Sequence, residues 1–278
     1  MDRRAMACCR HSLRRLMGSP RIWALLILCV LCFDRYIAPI RALLIGEGLR
    51  ISWPALMVFF LNDSWLSVML ALGLLLLLFD VPPRDEAQKY LLLRSGRAAW
   101  ARGQLYYVLC ATALYMVVMA LILLAWIAPY VDWTTGWSDG IMAFVDGAYE
   151  VYDSLINYDP WIVRVYTPLQ ALAIEAGLHY VCFAALGFAM CLVNAAAGGR
   201  AGFLVAAAPA MFDVVITEYF STSVYYFSPL TLTRLSCLDY GDGRMCPTVA
   251  YAAIVLTLLA AVLGALFVFV YGRKEVHQ

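Results

Sequence analysis

Charged residues are scarce in this sequence. Asp, Glu, Lys and Arg make up 14% of the 278 residues, whereas 64% are hydrophobic. Soluble globular domains carry about 25% charged and about 45–50% apolar residues. The composition therefore excludes an ordinary soluble domain and indicates a membrane protein. A net charge of +1, with no basic tail beyond a short N-terminal arginine cluster, argues against nucleic acid as a partner.

Familiar catalytic and metal-binding patterns are also missing. The sequence has no G-x-x-x-x-G-K-[ST] phosphate loop and no H-E-x-x-H. Its cysteines do not follow zinc spacing, because Cys8 and Cys9 lack a second pair of ligands. Cys29 and Cys32 form C-x-x-C, but inside an apolar run. We therefore expect no enzyme activity, no metal and no cofactor in this chain.

Long apolar runs dominate instead. A helix needs about 20 mostly apolar residues to cross a bilayer. Six segments qualify or nearly do: 22–45, 54–79, 105–128, 168–193, 202–217 and 250–271. The first follows arginines but has no convincing cleavage site, so we expect an uncleaved span. The fifth is short and contains Pro209 and Asp213, so we expect it to be kinked or broken.

These segments predict an all-α polytopic protein in which residues 1–278 form a single transmembrane domain. With the N-terminus placed inside, most of the 20 Lys and Arg residues fall in inner segments. Positive charge marks the cytoplasmic side of a membrane protein. The sequence therefore predicts six spans, cytoplasmic N- and C-termini and a location in a bacterial inner membrane.

The segment between the second and third spans carries the clearest functional signal. Pro82 and Pro83 end the second span. Asp85 lies in the first turn of a following short helix, where acids complement the helix dipole. Tyr90 lies on its apolar face, and Gly96 is a suitable terminator. Such an amphipathic helix either anchors the loop to anionic lipid or forms a docking surface for a cytoplasmic partner.

The amino-acid sequence of this segment also resembles that of a known protein family. F-D-x-P begins at Phe79, and Y-x-L-x-R-S-G-R-x-x-W-x-x-G-Q-x-x-Y runs from Tyr90 to Tyr107. This run resembles the second inner loop of ABC-2-type permeases, the membrane subunits of bacterial ATP-binding-cassette exporters. In that family the loop holds the coupling helix, which docks on the ATPase subunit. The resemblance implies ATPase-coupling roles for Asp85, Tyr90, Arg94, Gly96, Arg97, Trp100, Gly103 and Gln104.

The resemblance also implies partners. ATP and Mg would be bound by a separate cytoplasmic ATPase, because this chain has no phosphate loop. A second permease copy, identical or paralogous, would complete the translocation path within the membrane lipid. The sequence does not identify the substrate. Three rival functions also stay open: a proton-coupled secondary transporter, a membrane enzyme that acts on lipid, and a non-transporting membrane anchor or immunity protein.

Several polar residues fall within or beside the predicted spans, where an unpaired charge costs at least about 2.5–3.5 kcal/mol. They are Asp34, Arg35, Asp63, Glu175, His179 and Asp213. Arg35 and Asp63 have similar expected depths, so we predict an ion pair that either fixes two helices or contacts substrate. Glu175 and His179 share a helix face at i, i+4, as either a proton relay or a structural polar patch.

Cys237 and Cys246 differ from the other cysteines. Both lie in the outer segment between the fifth and sixth spans, where an oxidising environment favours disulfides. Asp242 and Gly243 between them make the chain prone to turn, which would bring the two Cα atoms close together. We predict a disulfide that fixes the outer entrance to the sixth span.

Overall fold

A computed structural model describes residues 2–83, 86–145, 159–197, 201–239, 241 and 245–273. Within these ranges the fold consists of helices, short 3₁₀ turns and one pair of two-residue strands. The helices are α1 (Arg3–Met17), α2 (Pro20–Glu47), α3 (Trp53–Asn62), α4 (Ser64–Leu77), α5 (Glu86–Ser95), α6 (Arg97–Ile127), α7 (Asp139–Val145), α8 (Pro160–Val165), α9 (Pro168–Ala197), α10 (Ala201–Tyr219) and α11 (Val249–Arg273). The strands are β1 (Ile51–Ser52) and β2 (Val131–Asp132).

Five helices are long and apolar enough to cross a membrane: α2, α6, α9, α10 and α11. Helices α3 and α4 also meet this test as a pair, bent by 84° at a break between them. The chain is therefore a multi-pass membrane protein, and the predicted all-α polytopic class is confirmed. Among the crossing helices, α9 is the most enclosed by its neighbours.

The helix break lies in a different span from the one in which the sequence predicted it. We expected the fifth span to be kinked or broken, and it is not broken, because α10 continues through Pro209 as one helix. The second span breaks instead, between Asn62 and Ser64. The physical reason lies in Asp63, which adopts an extended backbone and caps α4, with its carboxylate accepting a hydrogen bond from the Leu66 amide at 2.8 Å.

The first helix, α1, was not anticipated as a separate element. Its buried positions are Ala5, Cys8, Ser12 and Leu16, together with Cys9, and they follow the three-to-four-residue spacing of one helix face. This face packs on the start of α6, where a Cβ on Gly103 would lie 2.7 Å from the Ala5 carbonyl oxygen. Glycine is thus required for the close approach of the two helices.

Side-chain contacts define two ends of the bundle. At one end, called here the proximal end, Trp100 at the start of α6 stacks on Tyr271 at the end of α11, with ring centroids 4.5 Å apart. Arg21 at the start of α2 pairs there with Asp80 at 2.6 Å. The start of α1, α5 and the end of α11 therefore belong to the proximal end. At the opposite, distal end, β1 pairs in parallel with β2, and Ile51 lies opposite Val131.

Candidate functional site

The predicted surface helix is present as α5. It begins at Glu86 and ends at Ser95, and Gly96 follows with a φ of 82°, which separates α5 from α6. The predicted role of Gly96 as a helix terminator is confirmed, since glycine adopts this left-handed region without strain. Asp85 lies outside the described residues.

The outward face of α5 is apolar and basic. Tyr90 is 75% exposed and Leu93 is 86% exposed, and Arg94 is exposed beside them. Leu91 and Leu92 are half-buried against the bundle. Exposed side chains of this size on a membrane-protein loop provide either a lipid anchor or a protein-docking surface.

The other half of the motif faces inward. Trp100 and Gln104 are each 1% exposed, and the Gln104 side-chain amide donates to the Ser12 hydroxyl at 3.3 Å. Gly103 contacts α1, as described above. Within this chain the three residues join α6 to α1 and α11, and their role in ATPase coupling stays a prediction. The sequence motif combines an exposed surface at Tyr90–Arg94 with an internal packing surface from Trp100 onward, and Arg97 is half-buried between the two.

A second candidate site lies toward the distal end and is almost fully buried. We call it the polar cluster and define it by Asp63, Glu175, His179, Asp213 and Arg234. The chain after α10 forms 3₁₀ turns at Thr222–Phe227, Thr231–Thr233 and Leu235–Cys237. The last two turns reach into the bundle and deliver Arg234 to this cluster. At about 1.5 Å per residue, Asp213 lies roughly 9 Å below the end of α10.

Asp213 is the centre of the cluster and is 0% exposed. Arg234 donates to both of its carboxylate oxygens at 3.0 Å, and the arginine side chain is only 4% exposed. Ser64 donates to one oxygen at 3.2 Å, while Thr231 and Ser228 donate to the other. These bonds satisfy a carboxylate that would otherwise be very costly to bury.

Hydrogen bonds also satisfy polar groups at the break between α3 and α4. The Asn62 side-chain oxygen accepts a hydrogen bond from the Ser236 amide at 3.0 Å. Ser67 donates to the Leu61 carbonyl oxygen at 2.8 Å, which compensates for a helix bond lost at the break. Irregular backbone is tolerated at membrane depth only where it is covered in this way by protein.

Glu175 and His179 share a face of α9, as predicted, but their side chains do not bond to each other. His179 Nδ1 donates to the Glu175 backbone carbonyl at 2.9 Å, since a carbonyl oxygen only accepts. His179 Nε2 lies 3.0 Å from the Thr233 hydroxyl. One Glu175 carboxyl oxygen accepts from the Leu235 amide at 3.3 Å. The other is buried and has no hydrogen-bond partner among the described residues.

The predicted Arg35–Asp63 ion pair is not formed. Arg35 is exposed on the outside of α2. The Asp63 carboxylate is occupied as the cap of α4, because the helix break redirects it toward the Leu66 amide. The prediction assumed a straight second span, and the break removes that premise. Asp34 has a different partner, since the Trp126 indole donates to it at 3.1 Å.

The predicted disulfide is not formed either. Cys237 and Cys246 are both buried, and no disulfide joins them. The chain does reverse between them as expected, but a backbone bond from the Asp239 amide to the Pro247 carbonyl at 2.9 Å closes the loop. The Cys237 sulfur lies 3.8 Å from the Ser236 hydroxyl. Burial raises the pKa of the Cys237 thiol, which disfavours the reactive thiolate.

Arg234 was not predicted from the sequence as a site residue. One signal was available: from Tyr219 to Ser236 the chain is rich in Ser, Thr and aromatic residues and has a single charge, Arg234. Such a stretch is too apolar for an ordinary solvated loop. Among the described residues, no group of three or more His, Cys, Asp or Glu side chains is placed to hold a metal ion.

Comparison with known proteins gives no relative: no family model, no curated protein and no solved structure matches this chain.

Proposed function

We propose that this protein is the permease subunit of an ABC-2-type exporter, driven by a separate cytoplasmic ATPase. The observation that carries the proposal is α5, a short helix at the proximal end whose outward face exposes Tyr90, Leu93 and Arg94. It lies between the second and third spans, and its sequence resembles the coupling helix of that family. An exposed apolar and basic face suits a groove in a protein partner.

The orientation in this proposal follows from the two ends of the bundle. The broken pair α3–α4 begins next to β1 at the distal end and finishes near Asp80, which pairs with Arg21 at the proximal end. The pair then counts as one crossing, which gives six spans and both termini on one side. The arginines of α1 lie at this proximal end, and positive charge favours the cytoplasmic side.

Within this scheme the chain hydrolyses no ATP itself. The partner ATPase binds ATP and Mg, and a second permease copy completes the path. Closure of the ATPases would push α5 and shift the spans between inward-facing and outward-facing states. Reporter fusions test the orientation: fusions after Gly103 and Arg273 should be cytoplasmic, and a fusion at Gly136 external. An external reporter at Gly103 would overturn the proposed orientation and the docking role of α5 together.

Co-purification tests the ATPase partner. The protein is purified from its native membrane and its partners are identified by mass spectrometry, with an ATPase carrying a phosphate loop as the expected partner. Arg94→Glu should abolish its recovery, because reversal of charge at a docking face introduces repulsion. Arg10→Glu is the matched control, since Arg10 is exposed on α1. Equal ATPase recovery from both variants would leave α5 as a lipid anchor only.

Proton-coupled transport is the second candidate function, and one observation favours it. Glu175 is fully buried and one of its carboxyl oxygens has no hydrogen-bond partner among the described residues. A carboxyl group in this position can take up and release a proton during a transport cycle. Transport that stops when the pH gradient is collapsed while ATP remains available, and that Glu175→Gln also stops, would favour this candidate over the exporter.

A further inference from the structure

Arg35 is a charged residue at membrane depth that forms an ion pair with none of the described residues. It lies roughly 20 Å from either end of α2 at about 1.5 Å per residue, and thus within a hydrocarbon region about 30 Å thick. Its side chain is exposed, and no ion pair joins it to a described carboxylate. Charged side chains inside membrane helices almost always face protein, water or an opposite charge. The exposed arginine therefore indicates a counter-ion from outside this chain.

A groove of about 450 Å³ lies beside Arg35, between α2 and α4. The other residues that line it are Leu31, Cys32, Tyr36, Trp65 and Met69. Trp65 is 50% exposed and Met69 is 42% exposed, so the groove opens at the surface of the bundle. Arg35 is the only charged group among these lining residues. The groove thus provides apolar walls and one positive charge.

A second copy of the chain offers Arg35 no free carboxylate at this depth. Among the described residues, the acidic side chains within the spans are each hydrogen-bonded or fully buried, namely Asp34, Asp63, Glu175 and Asp213. None of them lines the groove. A contact between two copies would therefore bury Arg35 without a counter-ion, which is costly. Charge complementarity favours an anion that is not part of this chain.

We propose that the groove binds an amphipathic molecule with one anionic group. The Arg35 guanidinium would donate to the oxygens of a carboxylate, phosphate or sulfonate, since its planar fork matches these groups. The hydrocarbon chain would lie along Leu31, Trp65 and Met69. Headgroups of ordinary bilayer lipids lie about 15 Å away, at the membrane surfaces. The acid group is thus held deeper than that of a lipid in either leaflet.

This assignment concerns binding alone and does not depend on the ATPase partner. Within the proposed exporter, an amphipathic anion would be the transported substrate. Arg94→Glu, which tests the ATPase partner, should leave binding in the groove unchanged, because Arg94 lies on α5 and does not line the groove. The two proposals can therefore fail separately.

Photolabelling of the purified protein with a diazirine derivative of palmitic acid tests the proposal, at about pH 9, where the acid is ionised. Peptide mapping by mass spectrometry should place the label in residues 31–36 and 65–69. Arg35→Gln should lower this labelling about tenfold, because a hydrogen bond between charged groups is lost, whereas Arg35→Lys should retain most of it. Arg41→Gln, on the same helix but outside the groove, is the matched control.

Competition identifies the chemistry of the ligand. Unlabelled palmitic acid should displace the probe, whereas methyl palmitate, which has the same chain without the charge, should not. Equal competition by methyl palmitate, or equal labelling of Arg35→Gln and Arg41→Gln, would show that Arg35 is not part of a binding site. Equal competition by phosphatidylglycerol would assign the groove to an ordinary leaflet lipid and overturn the deeper position of the acid group.

Oligomeric state separates a ligand from a protein partner. Arg35→Gln should leave the mass of the protein in detergent and its melting temperature unchanged, because Arg35 forms no ion pair with a described residue. Light scattering after size-exclusion chromatography measures the mass. Loss of a dimer in Arg35→Gln, with a dimer retained in Arg41→Gln, would assign Arg35 to a contact between copies and overturn the proposal.

Discussion

A comparison of Arg234 with Arg94 shows how the two ends of the bundle differ. Both lie in segments that connect two of the predicted spans. Arg234 is buried and donates to both oxygens of Asp213, so it fixes the segment after α10 into the bundle. Arg94 is exposed on α5 beside Tyr90 and Leu93. The distal end thus buries this arginine in an ion pair, whereas α5 at the proximal end leaves its arginine exposed.

The largest stability effect is expected at Arg234. Arg234→Met removes the counter-ion and leaves Asp213 buried and unpaired, which costs about 3–5 kcal/mol. Unfolding of the purified protein in detergent by a denaturant measures this loss. The double variant Arg234→Met with Asp213→Leu should recover most of the stability, because it removes both charges. If the double variant is as unstable as the single one, the ion pair is not what joins the segment after α10 to the bundle.

The next largest loss of stability is expected from substitution of Gly103. A Cβ there would lie 2.7 Å from both the Ala5 carbonyl oxygen and the Cys8 Cβ, so Gly103→Ala should push α1 away from α6 and cost about 1–3 kcal/mol. Gly177→Ala is the control, since no atom lies within 4 Å of its added Cβ. Limited proteolysis of α1 together with melting temperature measures both variants. An unchanged Gly103→Ala protein would contradict the assignment of this position to internal packing.

On α5, substitution should hardly affect folding. Leu93→Ser changes a side chain that is 86% exposed, so the free energy of unfolding should move by less than about 0.5 kcal/mol. Its ATPase recovery should nevertheless fall, because an exposed leucine contributes to a docking face. Leu92→Ser, at a half-buried position of the same helix, gives the contrast. A large melting shift for Leu93→Ser would show that α5 is held by contacts within this chain.

The smallest effect on stability is expected from a reducing agent. Since no disulfide joins Cys237 and Cys246, reducing agent should leave the melting temperature unchanged. Maleimide should label both cysteines after denaturation without prior reduction. In the folded protein Cys237 should react slowly at neutral pH, because burial raises the pKa of its thiol and little thiolate is present. Labelling that requires reduction first would restore the disulfide that the sequence predicted.

The sequence predicted the features that depend on local patterns. Apolar length identified the spans, and the Pro82–Gly96 stretch predicted α5 with its terminator, since both signals lie within one segment. Features that depend on tertiary pairing were missed or wrong. Asp63 was assigned to Arg35 because equal depth was the only criterion available, whereas the helix break gives its carboxylate a local partner. Asp213 and Arg234 belong to different elements, and no local pattern pairs them.

The buried pair of Asp213 and Arg234 also has a consequence for biogenesis. Ribosomes produce the chain from its N-terminus, so α10 is synthesised before the residue that neutralises its carboxylate, 21 positions later. A lone aspartate near the centre of an inserting helix costs about 2.5–3.5 kcal/mol. Stable insertion of α10 is therefore coupled to folding of the segment after it. A chain truncated before Arg234 should leave α10 as a poor membrane segment that quality-control proteases can recognise.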